Sequence, residues 1–165
     1  TITGFYSIAE RIANFIQTFP LNSLSQAVYP RINKIFARSK EKAEILMHKI
    51  QDSITFIYFI VLAAVFWASP LIVRIACGQG YAEVILALRL LLIGVFFVVA
   101  NAFRVQFLLV SGRPQLYSKL HIYAAIIGLR LIFVLIGYFS YVGAAVSTVV
   151  LEAGIILATI RLLKS

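Results

Sequence analysis

Long apolar runs separated by short polar breaks set the pattern of this chain. Residues 53–76 read SITFIYFIVLAAVFWASPLIVRIA, and the runs 84–110, 116–139 and 142–163 repeat that character. At ~1.5 Å per residue each is long enough to cross a ~30 Å hydrocarbon core as a helix. A β-barrel would instead show ~10-residue segments of alternating polarity, which are absent from the sequence. A fifth stretch, 3–29, has spanning length but is the least apolar, carrying Glu10, Arg11, Asn14, Gln17, Asn22, Ser23, Ser25 and Gln26. So many polar groups cannot face lipid, and this stretch is predicted to face other helices or a wet cavity. Pro20 and Pro70 predict bends in the first and second crossings.

Between the first two crossings lies the basic connection 30–52, with Arg31, Lys34, Arg38, Lys40, Lys42 and Lys49 against Glu41, Glu44 and Asp52. Ile32, Ile35, Phe36, Ile45 and Leu46 recur there at roughly helical spacing, which predicts a short amphipathic helix within a solvated loop or against anionic headgroups. A Lys/Arg-rich connection of this kind is assigned to the cytoplasm. The turn SGRPQLYSK, with Arg113 and Lys119, and the tail, with Arg161 and Lys164, fall on that same side. Turns after the second and fourth crossings hold no Lys or Arg apart from Arg74 at a helix edge, where it can snorkel. The expected fold is therefore all-α and multi-pass: one transmembrane domain over residues 1–165, five helices, C-terminus cytoplasmic.

Composition narrows the class further. The chain is 62% hydrophobic and 13% charged, with a mean hydropathy of +0.97, whereas soluble domains are about 45–50% apolar and about 25% charged. The net charge of +9 gathers at helix ends, where topology already accounts for it, so nucleic acid is not an expected partner. Cys77 is the single cysteine and allows no intrachain disulfide. His48 and His121 have no Cys or carboxylate at ligand spacing, so neither a metal nor a cofactor is expected. The opening segment lacks the marks of a signal peptide.

Ionisable groups inside a bilayer are candidate functional residues. Arg130 in the fourth crossing and Glu152 in the fifth differ in depth by about 5 Å, at ~1.5 Å per residue, and an ion pair between them is expected to tie the helices or take part in coupling. Arg11, Arg89 and Arg104 allow two readings. Either Arg89 and Arg104 snorkel to the surfaces, or the arginines turn inward and form an electropositive cavity suited to phosphate or pyrophosphate, which guanidinium grips through two charge-assisted hydrogen bonds. In the second reading Asn14, Gln17, Asn22, Gln26 and Asn101 would meet sugar hydroxyls. No catalytic residue is assigned. An enzyme acting on lipid-linked sugars would have to draw on Glu10, Glu83, Glu152 or the two histidines, with no paired carboxylates among them.

Several short motifs resemble one family. Gly4-Phe5-Tyr6 followed by Ala9-Glu10-Arg11-Ile12, with Tyr29-Pro30-Arg31-Ile32 closing the same crossing, is similar to the GYYxxAxxI and YPxI pattern of polysaccharide and O-antigen flippases, members of the multidrug, oligosaccharidyl-lipid and polysaccharide exporter superfamily. Gly78-Gln79-Gly80-Tyr81-Ala82 resembles the family's glycine and tyrosine turn, and Gly143-Ala144-Ala145 its small-residue start of the last helix. The resemblance implies a twelve-helix transporter of two six-helix lobes around a cationic cavity, carrying an undecaprenyl-pyrophosphate-linked glycan across the bacterial cytoplasmic membrane. These five crossings would be helices eight to twelve, and the chain a C-terminal portion whose partners are membrane lipids and the missing N-terminal lobe. A multidrug or small-molecule exporter of the same superfamily is the alternative; it would be expected to show a more acidic or aromatic cavity.

Overall fold

The computed structural model describes residues 2–78 and 82–164. Four helices account for nearly all of them: α1 (Ile2–Phe36), α2 (Lys40–Cys77), α3 (Ala82–Val110) and α4 (Pro114–Lys164). Of these, α4 is two arms in sequence, because Ser140 leaves helical geometry at φ 52°, ψ −133°. The second arm doubles back along the first, with Leu135 against Gly143 and Gly128 against Leu151. Gly143 is what allows so close a return: a Cβ there would overlap the Leu135 carbonyl.

Lys40–Cys77, Glu83–Val110, Pro114–Ser140 and Val142–Leu162 are long and apolar enough to cross a membrane. Together with the helical fold they make this an all-α, multi-pass membrane protein. α1 has the length but not the apolarity to rank with these four, in keeping with the polar residues read along 3–29.

The basic connection is shorter than the sequence pattern predicts. α1 runs on to Phe36 and α2 starts at Lys40, so most of 30–52 is helix continuing beyond the apolar runs and residues 37–39 alone make the turn. Ser39 explains the restart: as N-cap, with extended φ −160° and ψ 112°, it accepts the Lys42 N–H. Apolar positions of the stretch divide, with Ile32 buried and Ile45 53% exposed, so the two helix ends present one packed face each rather than a separate amphipathic helix. The α3–α4 turn is a Schellman motif. Gly112, at φ 70°, donates to the Leu109 carbonyl and Arg113 to that of Leu108, after which Pro114 opens α4. Of the glycine and tyrosine turn, residues 79–81 lie outside the described residues, while Gly78, at φ 88°, closes α2 by donating to the Arg74 carbonyl.

α3 is the centre. Val84, Leu88, Leu91, Leu92, Val95, Val99, Phe103 and Phe107 recur at helical spacing and are buried, and all three other helices pack on them. The directions follow from the contacts: Ser69 meets Arg89 and Gln51 meets Phe103, so α2 is antiparallel to α3. Gly94 lies by Thr148 and Asn101 by Thr159, so the second arm of α4 is parallel to α3.

Candidate functional site

Proline sets the first part of the polar architecture. A proline inside a helix has no N–H for the carbonyl four residues earlier, and two such carbonyls here have side-chain donors. Pro20 frees the Ile16 carbonyl of α1, and the Tyr58 hydroxyl donates to it at 3.4 Å from α2. Pro70 frees the Phe66 carbonyl, to which the Ser69 hydroxyl donates at 2.7 Å. Ser69 Oγ then accepts from Arg89 Nε at 2.9 Å, and the guanidinium stacks over the Phe66 ring at 4.9 Å. Arg89 is thus bound to α2 beside Pro70.

Gln51 is the most deeply engaged polar side chain. It is fully buried, its Nε2 donates to the Val99 carbonyl and to Thr55 Oγ1, both at 2.9 Å, and its Oε1 accepts the Phe103 N–H at 3.0 Å. Val99 C=O and Phe103 N–H are the pair that a regular helix would join to each other, so this carboxamide reads one turn of α3 backbone. Arg104 turns back on the same turn, donating through Nη1 to the Ala100 carbonyl. Asn101, 3% exposed, donates to Thr159 Oγ1 at 3.1 Å, while its Oδ1 has no hydrogen-bond partner among the described residues. Gln106 reaches α1, donating to Ser25 Oγ at 2.6 Å.

The sequence-predicted candidates are therefore distributed rather than gathered. Arg89 is held by α2 and Asn101 by the second arm of α4, while Arg104 is held by its own helix. The expected Arg130–Glu152 pair does not form among the described residues: Arg130 is exposed and Glu152 half-buried, with no ion pair between them. The hairpin register accounts for this. Leu151 sits opposite Gly128, which leaves Arg130 and Glu152 at similar depth on different faces.

What the structure does assemble is a stripe on α1. Arg11, Asn14, Thr18, Asn22, Gln26 and Asn33 are all exposed, and at 100° per residue their spacings of three, four and seven residues keep them within one arc of the helix, which the exposed Phe15 and Tyr29 share. Gln17 flanks the stripe, half-buried. The opposite face, with Ala9 and Ala13, is buried against the bundle. From Arg11 to Asn33 the stripe is about 33 Å long at ~1.5 Å per residue, the thickness of a hydrocarbon core.

Gln51, Ser69 and Thr159 were not among the predicted candidates. Their signal was indirect. Ser69 precedes a mid-helix proline, and Gln51 sits at the end of the basic stretch, where it reads as solvated until α2 is seen to begin at Lys40.

Comparison with known proteins points the same way as the motifs. The chain is 28% identical over 153 residues to a protein of Escherichia coli (strain K12) named "Putative O-antigen transporter", a match covering 92% of this chain and 37% of that protein. The chain thus spans little more than a third of the relative's length. No protein-family model matches the chain, and no solved structure does so with significance.

Proposed function

We propose that this chain is part of a transporter that moves a lipid-linked oligosaccharide, such as an O-antigen repeat unit on an undecaprenyl-pyrophosphate carrier, across the bacterial cytoplasmic membrane. The observation that carries this reading is the exposed polar stripe on α1, a bilayer-length surface in a chain whose other crossings are apolar. Such a face is stable in a membrane only against water or polar protein. A second lobe, supplied by the part of the protein beyond this chain, would close a hydrated path along it. The resemblance to an O-antigen transporter over nearly the whole chain supports the same assignment.

Within that path Arg11 would meet the phosphates and Asn14, Gln17, Asn22 and Gln26 the sugar hydroxyls, whose hydrogen bonds these amides match in both directions. The proline bends in α1 and α2 would be the points at which the lobes rock between inward and outward states. Basic turns would face the cytoplasm, together with the C-terminus.

Reconstitution of the full-length protein with a fluorescent undecaprenyl-linked glycan tests this. Arg11→Ala combined with Asn14→Ala is expected to lower flipping by about tenfold or more, as loss of a charge-assisted contact would, with membrane insertion unchanged. Flipping at the parental rate would remove the stripe from the path. A glycosyl-transfer assay run alongside separates the transporter from an enzyme acting on the same lipid.

A further inference from the structure

At the end of the bundle that carries the basic turns, two connections far apart in sequence meet. Phe36, Lys40 and Glu44 from the α1–α2 corner and Phe107, Leu108, Ser111 and Arg113 from the α3–α4 corner line one cavity of about 160 Å³. Arg113 also borders an adjoining concavity with Lys119. Beneath them Phe36 and Phe107 pack edge to face at 5.9 Å. The lining thus joins cations, one carboxylate and an aromatic pair.

The corner is also fixed in depth and direction. The apolar crossings end at Val110 and resume at Pro114, so Arg113 lies at the level where hydrocarbon gives way to headgroups. Gly112 directs the chain there through its positive φ, and the Arg113 N–H is tied to the Leu108 carbonyl at 3.1 Å. Ser111 spends its hydroxyl hydrogen on the Phe107 carbonyl at 2.7 Å, which leaves its oxygen as an acceptor and the lysine and arginine as the donors of the cavity. Glu44 is the carboxylate in the lining, and among the described residues it is joined to neither Lys40 nor Arg113 in an ion pair.

We propose that this cavity binds the phosphate of an anionic phospholipid headgroup from the adjacent leaflet, with Lys40 and Arg113 as its two cationic contacts and Lys119 at the rim. A phosphodiester offers what two cations from separate turns can share. The Phe36–Phe107 pair gives the lining an apolar part that the lipid beyond its phosphate can meet, and the one lining carboxylate disfavours headgroups that bring further negative charge. The lipid would hold the α1–α2 and α3–α4 turns together, fixing the end of the bundle about which its helices move. This assignment does not rest on the transport reading.

Native mass spectrometry of the full-length protein, delipidated in detergent and titrated with phosphatidylglycerol or phosphatidylcholine, is the test, because a micelle carries no membrane surface potential. Lys40→Gln with Arg113→Gln is expected to weaken phosphatidylglycerol binding by about tenfold or more, two charge-assisted contacts to the phosphate being removed. Arg31→Gln with Lys49→Gln, equal in charge but outside the cavity lining, is expected to change it less than about twofold. Glu44→Gln moves the other way and tightens it. Both double variants alter exposed side chains, and an unshifted melting temperature verifies that each is folded. Equal losses in the two double variants, unchanged binding in the first, or equal retention of phosphatidylcholine would overturn the site. Displacement of the lipid by equimolar inorganic phosphate would assign the cavity to a free anion and overturn the lipid reading.

Discussion

α1 and the first arm of α4 both lie outside the α3 core, yet their exposed side chains differ in chemistry. On α1 most are polar, Arg11, Asn14, Thr18, Asn22 and Gln26 among them, with Phe15 and Tyr29 as exposed apolar exceptions. On Pro114–Ser140 most are apolar, Ile122, Tyr123, Ile126, Ile127, Leu129, Phe133 and Phe139 among them, with Arg130 an exposed charge near mid-helix. Since lipid tails solvate apolar side chains and not amides or guanidinium, the first arm of α4 apart from Arg130 is suited to hydrocarbon as it stands, and the polar face of α1 is complete only against water or polar protein. In a membrane helix, then, exposure alone does not mark function; exposure of groups that lipid cannot satisfy does.

The sharpest way to break the comparison is to remove one side of it. Gly143→Ala puts a methyl into the Leu135 carbonyl, and backbone cannot retreat as a flexible side chain would. The cost is expected to exceed about 3 kcal/mol, separating the two arms of α4. Loss of the folded band in a thermal-shift or limited-proteolysis assay checks it, and a stable, monodisperse variant would show that the arms are not in that contact.

A charge placed at mid-helix measures the two exposed faces directly. Ile126→Lys, near the centre of the first arm of α4, is expected to cost about 3 kcal/mol in a membrane-insertion assay. Thr18→Lys, near the centre of α1 and equally exposed, is expected to cost less than about 0.5 kcal/mol, because a polar surrounding leaves the ammonium hydrated. Equal penalties would mean that α1 also faces hydrocarbon and would remove the contrast.

How much of this was legible in the sequence follows from what each feature depends on. Spanning runs, the weakly apolar first crossing and the all-helical class were legible, because length and hydropathy respond to the bilayer and need no partner. The extent of the basic connection was not, since Ser39 restarts a helix where charge density suggested a loop. Nor were the neighbours of Arg89 and Glu152. Depth could be counted from the sequence, but rotation about the helix axis is set by packing, and rotation decides whether Arg89 meets Ser69 and whether Glu152 meets Arg130. Pro20 and Pro70 were read as bends; that each frees a carbonyl for a particular hydroxyl required the neighbouring side chains.

The smallest expected effect concerns how firmly α1 is attached. α2 is tied to α3 through Gln51 and through the Ser69–Arg89 bond, whereas its described side-chain bond to α1 is Tyr58 to the Ile16 carbonyl at 3.4 Å. A bond of that length is weak. Tyr58→Phe keeps the ring in place and removes only the hydroxyl, so about 0.5 kcal/mol of stability should be lost. Ser69→Ala, which strips both the Phe66 carbonyl and the Arg89 guanidinium of a partner at 2.7 and 2.9 Å, should lose about 1–3 kcal/mol. If Tyr58→Phe proved the costlier of the two, the α1–α2 seam would be held more tightly than the α2–α3 seam. If the order holds, α2 is bonded more firmly to α3 than to α1, and the polar helix is held chiefly by its own packing on α3, where Gln106 donates to Ser25 at 2.6 Å.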